Sequence, residues 1–198
     1  MNSDIIKQNL AALIEKNPTL RYVLPKLAAA NIRYGLYAGA HVAVLTSNRT
    51  PTDIDLLVHD DDLPKLRAMF PFAKTKDVGD GVFLYIGEDD VVEFMGLADV
   101  VQDGHVYPFR FTDEAVERVT TLAVDGLEIA LVDPVDSILL KSILQRGPDQ
   151  GKHDVEDIEA VLRSVEIDGD YLRQRLVQAD ALELAAPVFD RLGLALRA

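Results

Sequence analysis

Two aspartates one residue apart, Asp53 and Asp55, stand at the start of an apolar segment that ends at Val58. The β-forming residues of this segment predict a buried strand that follows a proline-containing turn. Residues two apart on a strand point to the same face, so we expect the two carboxylates to project together. Close like charges repel unless a cation neutralises them, and Mg²⁺ prefers oxygen ligands. The alternative is a pair of solvated aspartates at a strand end.

A glycine precedes this pair at a position typical of phosphate binding. Residues 34–38 read as a short strand, Gly39-Ala40 follows, and His41 to Thr46 read as a helix. Glycine between a strand and a helix lets the backbone approach a ligand, and the free N–H groups of the helix suit phosphate. Only twelve residues then separate Ala40 from Asp53. The pattern predicts a phosphate cradle beside a metal site.

This combination resembles the nucleotidyltransferase superfamily, which has the DNA polymerase β-like fold. The family signature is an apolar residue, Gly-Gly or Gly-Ser, about a dozen residues, and Asp-apolar-Asp. The likeness is strongest to the minimal bacterial branch with the AbiEii and MenT-type toxins of toxin–antitoxin systems. The resemblance implies that Gly39 and Ala40 cradle the phosphates of an NTP and that Asp53 and Asp55 bind Mg²⁺. Arg49 is either a triphosphate contact or a solvated cation in the turn.

Ala40 departs from the family pattern, which has Gly or Ser at this position. A serine hydroxyl is therefore missing from the expected phosphate site, although the backbone N–H groups remain. This departure leaves room for a weakened or altered nucleotide site.

Glu93 is the candidate for the third carboxylate that the resemblance implies. It lies in the apolar run Val91 to Met95, where an isolated charge is unfavourable without a partner. Asp89 and Asp90 are the competing choices, but they follow Gly87-Glu88 and read as part of a hairpin turn. A strand that carries Glu93 beside Asp53 and Asp55 would complete a three-carboxylate metal cluster.

A helix is predicted from the Asp133-Pro134 start to Gln145, with Asp133 as N-cap and proline in the first turn. Lys141 interrupts the apolar pattern of this helix. The resemblance implies that Lys141 binds the triphosphate or base of the nucleotide. The alternative is a lysine whose ammonium group reaches solvent near the helix end.

The segment after this helix resembles a later family motif, a basic residue followed by Asp, two residues and a second Asp. Lys152, Asp154 and Asp157 match it. The resemblance implies that Asp154 acts near the acceptor hydroxyl, and we expect Asp157 to orient Lys152 or Arg146. Without the resemblance, the two aspartates would be an ordinary acidic helix N-terminus. His153 is flanked by charges and is expected to be solvated.

Composition excludes some classes of protein. The chain of 198 residues has no cysteine, so disulfide frameworks and thiolate zinc sites are excluded. No signal peptide or membrane-spanning run is apparent, and we expect a soluble, cytoplasmic protein with no membrane partner. The net charge of −13 argues against a generic nucleic-acid binder. Residues 1–50 nevertheless carry +4, which is either a local basic surface or ordinary solvated helices.

The predicted fold class is α+β, a small mixed β-sheet with flanking helices plus a helical C-terminal portion. Two helices, Ser3–Lys16 and Thr19–Ala30, precede the sheet, and Asp125-Gly126 predicts a tight hairpin. We expect residues 1–132 to form the core with these N-terminal helices. Residues 133–198 would complete the active-site cleft.

The predicted function is Mg²⁺-dependent transfer of a nucleoside monophosphate from an NTP to an acceptor, with loss of pyrophosphate. The toxin resemblance favours tRNA as acceptor and an antitoxin as partner. The acidic charge favours a small cationic acceptor of antibiotic type or a protein. A non-catalytic nucleotide-binding or protein-interaction module is the remaining alternative, and the base, acceptor and oligomeric state stay open.

Overall fold

The computed structural model describes residues 3–47, 51, 53–78, 81–86 and 90–196. Its helices are α1 (Ser3–Lys16), α2 (Thr19–Ala29), α3 (Ala38–Thr46), α4 (Leu63–Met69), α5 (Asp113–Glu117), α6 (Pro134–Leu144), α7 (Asp154–Ser164), α8 (Gly169–Gln178) and α9 (Leu182–Arg191). Its strands are β1 (Tyr34–Tyr37), β2 (Ile54–Val58), β3 (Lys74–Val78), β4 (Gly81–Ile86), β5 (Val92–Gly96), β6 (Ala98–Gln102), β7 (His105–Phe109), β8 (Thr120–Val124) and β9 (Leu127–Leu131).

Seven strands form one mixed sheet in the order β3-β4-β5-β2-β1-β9-β8, and β6 and β7 form a separate hairpin. The pairs β2–β5 and β1–β9 are parallel, whereas β1–β2 and the other pairs in the sheet are antiparallel. The predicted α+β class, a mixed sheet with flanking helices, is confirmed. The three middle strands β5, β2 and β1 carry the candidate site.

Strand β1 contains Gly35 because the chain packs closely there. A Cβ on Gly35 would lie 2.5 Å from Cγ1 of Val132 and 2.9 Å from its backbone nitrogen. The backbone N–H of Val132 donates to the carbonyl of Leu36 at 3.3 Å. The absence of a side chain at Gly35 therefore lets the segment after β9 lie against β1.

Two of the hairpins, β8–β9 and β6–β7, carry the same turn signal. Asp125-Gly126 connects β8 to β9 with positive φ at both residues, as predicted. Asp103-Gly104 connects β6 to β7 in the same way, with φ of +51° and +79°. The second hairpin is missing from the predicted elements although its Asp-Gly turn is equally visible in the sequence.

Helix α6 is the centre of the C-terminal portion and packs against α3, α7, α8 and α9. Its N-cap is Asp133, whose side chain accepts from the N–H of Val135, as expected from the sequence. Asp136 forms a buried ion pair with Arg175 of α8, with 2.9 Å between Oδ1 and Nε. Arg175 also donates to the carbonyl of Arg110, just after β7, and so connects α8 to the hairpin.

The hydrophobic core is a cluster that extends from α1 to α9. The division at residue 132 stays a prediction. Within the described ranges, each helix falls short of the length and apolarity needed to cross a membrane.

Candidate active site

Three carboxylates meet at the middle of the sheet. Asp55 of β2 and Glu93 of β5 are register partners on adjacent parallel strands. Asp53 lies one residue before β2. One carboxylate oxygen from each of the three lies within 4.8 Å of the others, and all three residues are partly exposed. The structure thus brings together the three residues that the sequence marks as metal ligands.

The electrostatics of this cluster suit a divalent cation. Burial, together with the negative charges of Asp53 and Glu93, raises the pKa of Asp55 to about 7, although Lys152 and Lys141 act to lower it. The two lysines therefore do not offset the combined effect of burial and of the two neighbouring acids on Asp55. Oxygen ligands in this number fit a hard cation such as Mg²⁺.

Asp90, the described competitor of Glu93, lies elsewhere. Its side chain accepts a hydrogen bond from the backbone N–H of Thr19 at the start of α2. Asp89 and Arg49 lie outside the described residues, so the role proposed for Arg49 stays a prediction.

The turn between β1 and α3 lies beside the carboxylates. Helix α3 begins at Ala38, three residues earlier than predicted, so Gly39 belongs to its first turn. Ala38 has a φ of +51°, which non-glycine residues adopt rarely and at a cost. Ala38 and Gly39 line the cavity described below, whereas the side chain of Ala40 is buried in the core. A side-chain hydroxyl at position 40 would therefore be enclosed as well.

The residues of the second motif form one ionic network. Lys141 Nζ lies 2.7 Å from Asp157 Oδ2 and 3.3 Å from Asp154 Oδ1. Asp154 also accepts from Nε of Arg146 at 2.8 Å and from the Arg146 backbone N–H at 3.0 Å. The side chains of Lys141, Asp154 and Asp157 are at most 8% exposed. Asp157 thus pairs with Lys141, which differs from its expected partners Lys152 and Arg146.

Asp154 is held as a charged acceptor by this network. Burial acts to raise its pKa, but the hydrogen bond from Arg146 and the charges of Lys141 and Arg146 outweigh that effect. Its pKa is therefore lower than that of an ordinary aspartate.

A cavity of about 500 Å³ joins these parts. Its polar lining includes the three carboxylates and the network of Lys141, Arg146, Asp154 and Asp157, together with Lys152 and His153. The apolar lining includes Met95, Ala98 and Val100 near the hairpin and Leu140 and Leu144 of α6. Sequence reasoning missed the hairpin wall, and its Asp-Gly turn is the signal that could have located it.

Tyr37, also missed, lines the same cavity. It is the register partner of Asp55 on β1, so the two side chains lie on the same face of the sheet. Its hydroxyl is buried and has no hydrogen-bond partner among the described residues. Burial raises the pKa of this phenol well above its usual value, so it stays protonated.

No protein-family model matches the chain, and no curated protein matches it by sequence. Several solved structures are similar to the chain in fold. The antibiotic-resistance factor ANT(2'')-Ia in solution gives a TM-score of 0.50 at 15% identity, covering 94% of this chain and 95% of that one. A Thermotoga maritima protein assigned to the nucleotidyltransferases gives a TM-score of 0.50 at 15% identity, covering 74% and 89%. The lincomycin-bound lincosamide adenylyltransferase LnuA gives a TM-score of 0.46 at 19% identity, covering 74% of this chain and 96% of that one.

The two likenesses with a TM-score of 0.50 define the class of architecture. The chain has the nucleotidyltransferase fold, as the resemblance in the first motif implies. At these identities the likeness shows the fold, and the chemistry depends on the site itself.

Proposed function

We propose that the protein is a Mg²⁺-dependent nucleotidyltransferase that moves a nucleoside monophosphate from an NTP to an acceptor. The observation that supports this proposal most directly is the cluster of Asp53, Asp55 and Glu93 beside the β1–α3 turn. An oxygen of the acceptor would attack the α-phosphorus as the bond to the bridging oxygen breaks. Pyrophosphate would leave, and the acceptor would lose its proton.

The three carboxylates would hold the metal, which when bound supplies positive charge to the reacting phosphate. The backbone N–H groups at the start of α3, with Gly39 at the cavity wall, would bind the phosphates. Two roles stay predictions from the resemblance: Lys141 as a ligand of the nucleotide, and Asp154 as a residue near the acceptor. Both line the cavity, and each bonds to the other.

The charge of the cavity lining favours a small cationic acceptor molecule. Asp99 adds a further carboxylate to the wall, where Arg110 holds it at 2.8 Å. An acidic wall in a chain of net charge −13 suits a cationic acceptor better than a polyanion. The likeness to an antibiotic-resistance factor agrees with this choice.

Transfer to tRNA by a toxin of a toxin–antitoxin system is the second candidate. It is supported by the sequence motif of Lys141, Asp154 and Asp157. The net charge of +4 in residues 1–50 would give RNA a basic surface. A protein acceptor and a non-catalytic nucleotide-binding module remain further alternatives.

The test is incubation with Mg²⁺ and each of four α-labelled NTPs, alone, with total tRNA, and with a panel of cationic small molecules. Asp55→Asn serves as the control that removes a metal ligand. We expect label on a small molecule, lost in the mutant. Label on tRNA would favour the toxin function. The absence of both transfer and NTP binding would refute the enzyme proposal.

A further inference from the structure

Among the described residues, three cationic side chains line the cavity, and they differ in how they are paired. Lys141 lies between Asp154 and Asp157, and Arg146 bonds to Asp154. Lys152 is exposed and has no ion pair within the part of the chain that the structure describes. Its ammonium group is therefore available for a ligand without breaking an existing buried contact.

Lys152 lines the same cavity as the metal-binding candidates Asp53, Asp55 and Glu93. An anion that approaches the metal-binding carboxylates would therefore come within reach of the Lys152 charge. A lysine ammonium acts on phosphate as a compact point charge with three donors.

The loop that carries Lys152 is closed by Asp154. Oδ2 of Asp154 accepts from the backbone N–H and Nε of Arg146 at 3.0 and 2.8 Å. The backbone N–H of Asp154 donates back to the carbonyl of Arg146 at 3.0 Å. Arg146 and Asp154 therefore join the two ends of the loop that carries Lys152.

Backbone bonds inside the loop fix the position of Lys152 itself. The carbonyl of Gly147 accepts from the N–H groups of Gln150 and Lys152 at 3.0 and 3.1 Å. Gly151 has a φ of +66°, which reverses the chain directly before Lys152. The loop thus has a defined conformation that holds Lys152 at the cavity wall.

We propose that Lys152 binds the polyphosphate of the nucleoside triphosphate and that Asp154, with Arg146, is a positioning residue that holds the Lys152 loop. This inference rests on the proposed function and gives a role as phosphate ligand to Lys152, the basic residue of the second motif, for which the resemblance implies none. It assigns Asp154 an indirect role in place of a role near the acceptor. The buried and multiply bonded state of Asp154 supports that assignment.

The first experiment measures the Kd of Lys152→Gln by calorimetry with Mg²⁺ and a non-hydrolysable NTP analogue. We expect binding to weaken about 10- to 100-fold, the range for a lost hydrogen bond to a charged group. The Kd for the corresponding nucleoside monophosphate should stay unchanged, because that ligand lacks the β- and γ-phosphates. Lys152→Arg should retain most of the affinity, and Lys7→Gln, at an exposed lysine of α1, is the matched control.

A double-mutant cycle tests the positioning role. Arg146→Gln removes the side-chain bonds that close the loop, while the backbone bonds between residues 146 and 154 remain and Asp154 keeps its bond to Lys141. If Arg146 acts through Lys152, the double variant Arg146→Gln/Lys152→Gln binds the NTP analogue no more weakly than Lys152→Gln alone. Additive losses would mean that Arg146 contacts the phosphates directly, which overturns the positioning role.

Binding of inorganic tripolyphosphate to wild type and Lys152→Gln separates failure of this inference from failure of the proposed function. If wild type binds the NTP analogue and tripolyphosphate, and Lys152→Gln binds both equally well, the role of Lys152 is refuted while the nucleotide site stands. If wild type binds neither ligand, the proposed function fails and this inference fails with it.

Discussion

Asp55 and Glu93 face each other across the parallel pair β2–β5, in direct register. Side chains of register partners lie on the same face of a sheet, so the strand pairing itself brings the two carboxylates together. The sheet therefore enforces the repulsion, which loop motion cannot relieve. A bound cation would turn that repulsion into attraction.

Asp55→Asn should stabilise the metal-free protein at pH 8 and abolish its response to metal. Removing one charge relieves repulsion with Asp53 and Glu93, and it also removes a ligand. Saturating Mg²⁺ or Mn²⁺ should raise the free energy of unfolding of wild type by about 2.7 kcal/mol at one hundred times Kd. Thermal unfolding with metal and with chelator measures both effects.

Asp190→Asn is the matched control for this change, because Asp190 is an exposed carboxylate on α9. It should leave both Tm and the metal response as in wild type. An undiminished metal response in Asp55→Asn would show that the metal binds elsewhere.

The metal-free protein should lose stability as pH rises from about 4 to about 7. The pKa of Asp55 is about 7 in the folded chain against an ordinary value of 3.8. In this window the folded state keeps a proton that the unfolded state has lost, so the free energy of unfolding falls with rising pH. Urea unfolding in chelator at several pH values measures this dependence.

Asp55→Asn provides the comparison, because other carboxylates with lowered pKa values, such as Asp154, contribute an opposite slope at lower pH. The difference in stability between wild type and Asp55→Asn should change across pH 4–7 and level off above it. A constant difference would show that Asp55 ionises normally in the folded chain.

The sequence was sufficient for the parts of the site that depend on local pattern. The Asp53–Asp55 pair follows from strand alternation, and the Asp133 N-cap and the Asp125-Gly126 turn follow from local capping and turn chemistry. Glu93 was found because a lone acid in an apolar strand is costly without a partner. Each of these features can be recognised from the few residues on either side of it in the sequence.

Features that depend on distant contacts could not be predicted in the same way. The pairing of Asp157 with Lys141 depends on how α6 packs against α7, which no local pattern specifies. The Tyr37 hydroxyl lacks a partner among the described residues because of how segments distant in the sequence pack around it. The β6–β7 hairpin is different, because its turn signal was present and overlooked.

Lys141→Met should destabilise the protein by about 3–5 kcal/mol, because it leaves Asp154 and Asp157 buried with less compensation. The double variant Lys141→Met/Asp157→Asn should recover part of this loss, since it removes one of the stranded charges. Urea unfolding of the two single variants and the double variant gives the coupling energy.

Arg163→Met is the control for this cycle. Arg163 pairs with Glu159 on the exposed surface of α7, with the arginine side chain 75% exposed. Its loss should change stability by less than about 0.5 kcal/mol. An equally small effect of Lys141→Met would mean that the buried network contributes little to folding.

Tyr37→Phe should leave the ligand-free protein as stable as wild type or more stable, whereas Tyr34→Phe should destabilise it. The Tyr34 hydroxyl donates to the carbonyl of Glu128 at 3.2 Å, and losing that bond costs about 0.5–1.5 kcal/mol. The Tyr37 hydroxyl has no such partner among the described residues, so its removal relieves a buried polar group, by about 1 kcal/mol or more. Urea unfolding of both variants and of wild type measures the two changes in the free energy of unfolding. Equal destabilisation would mean that a buried water satisfies Tyr37.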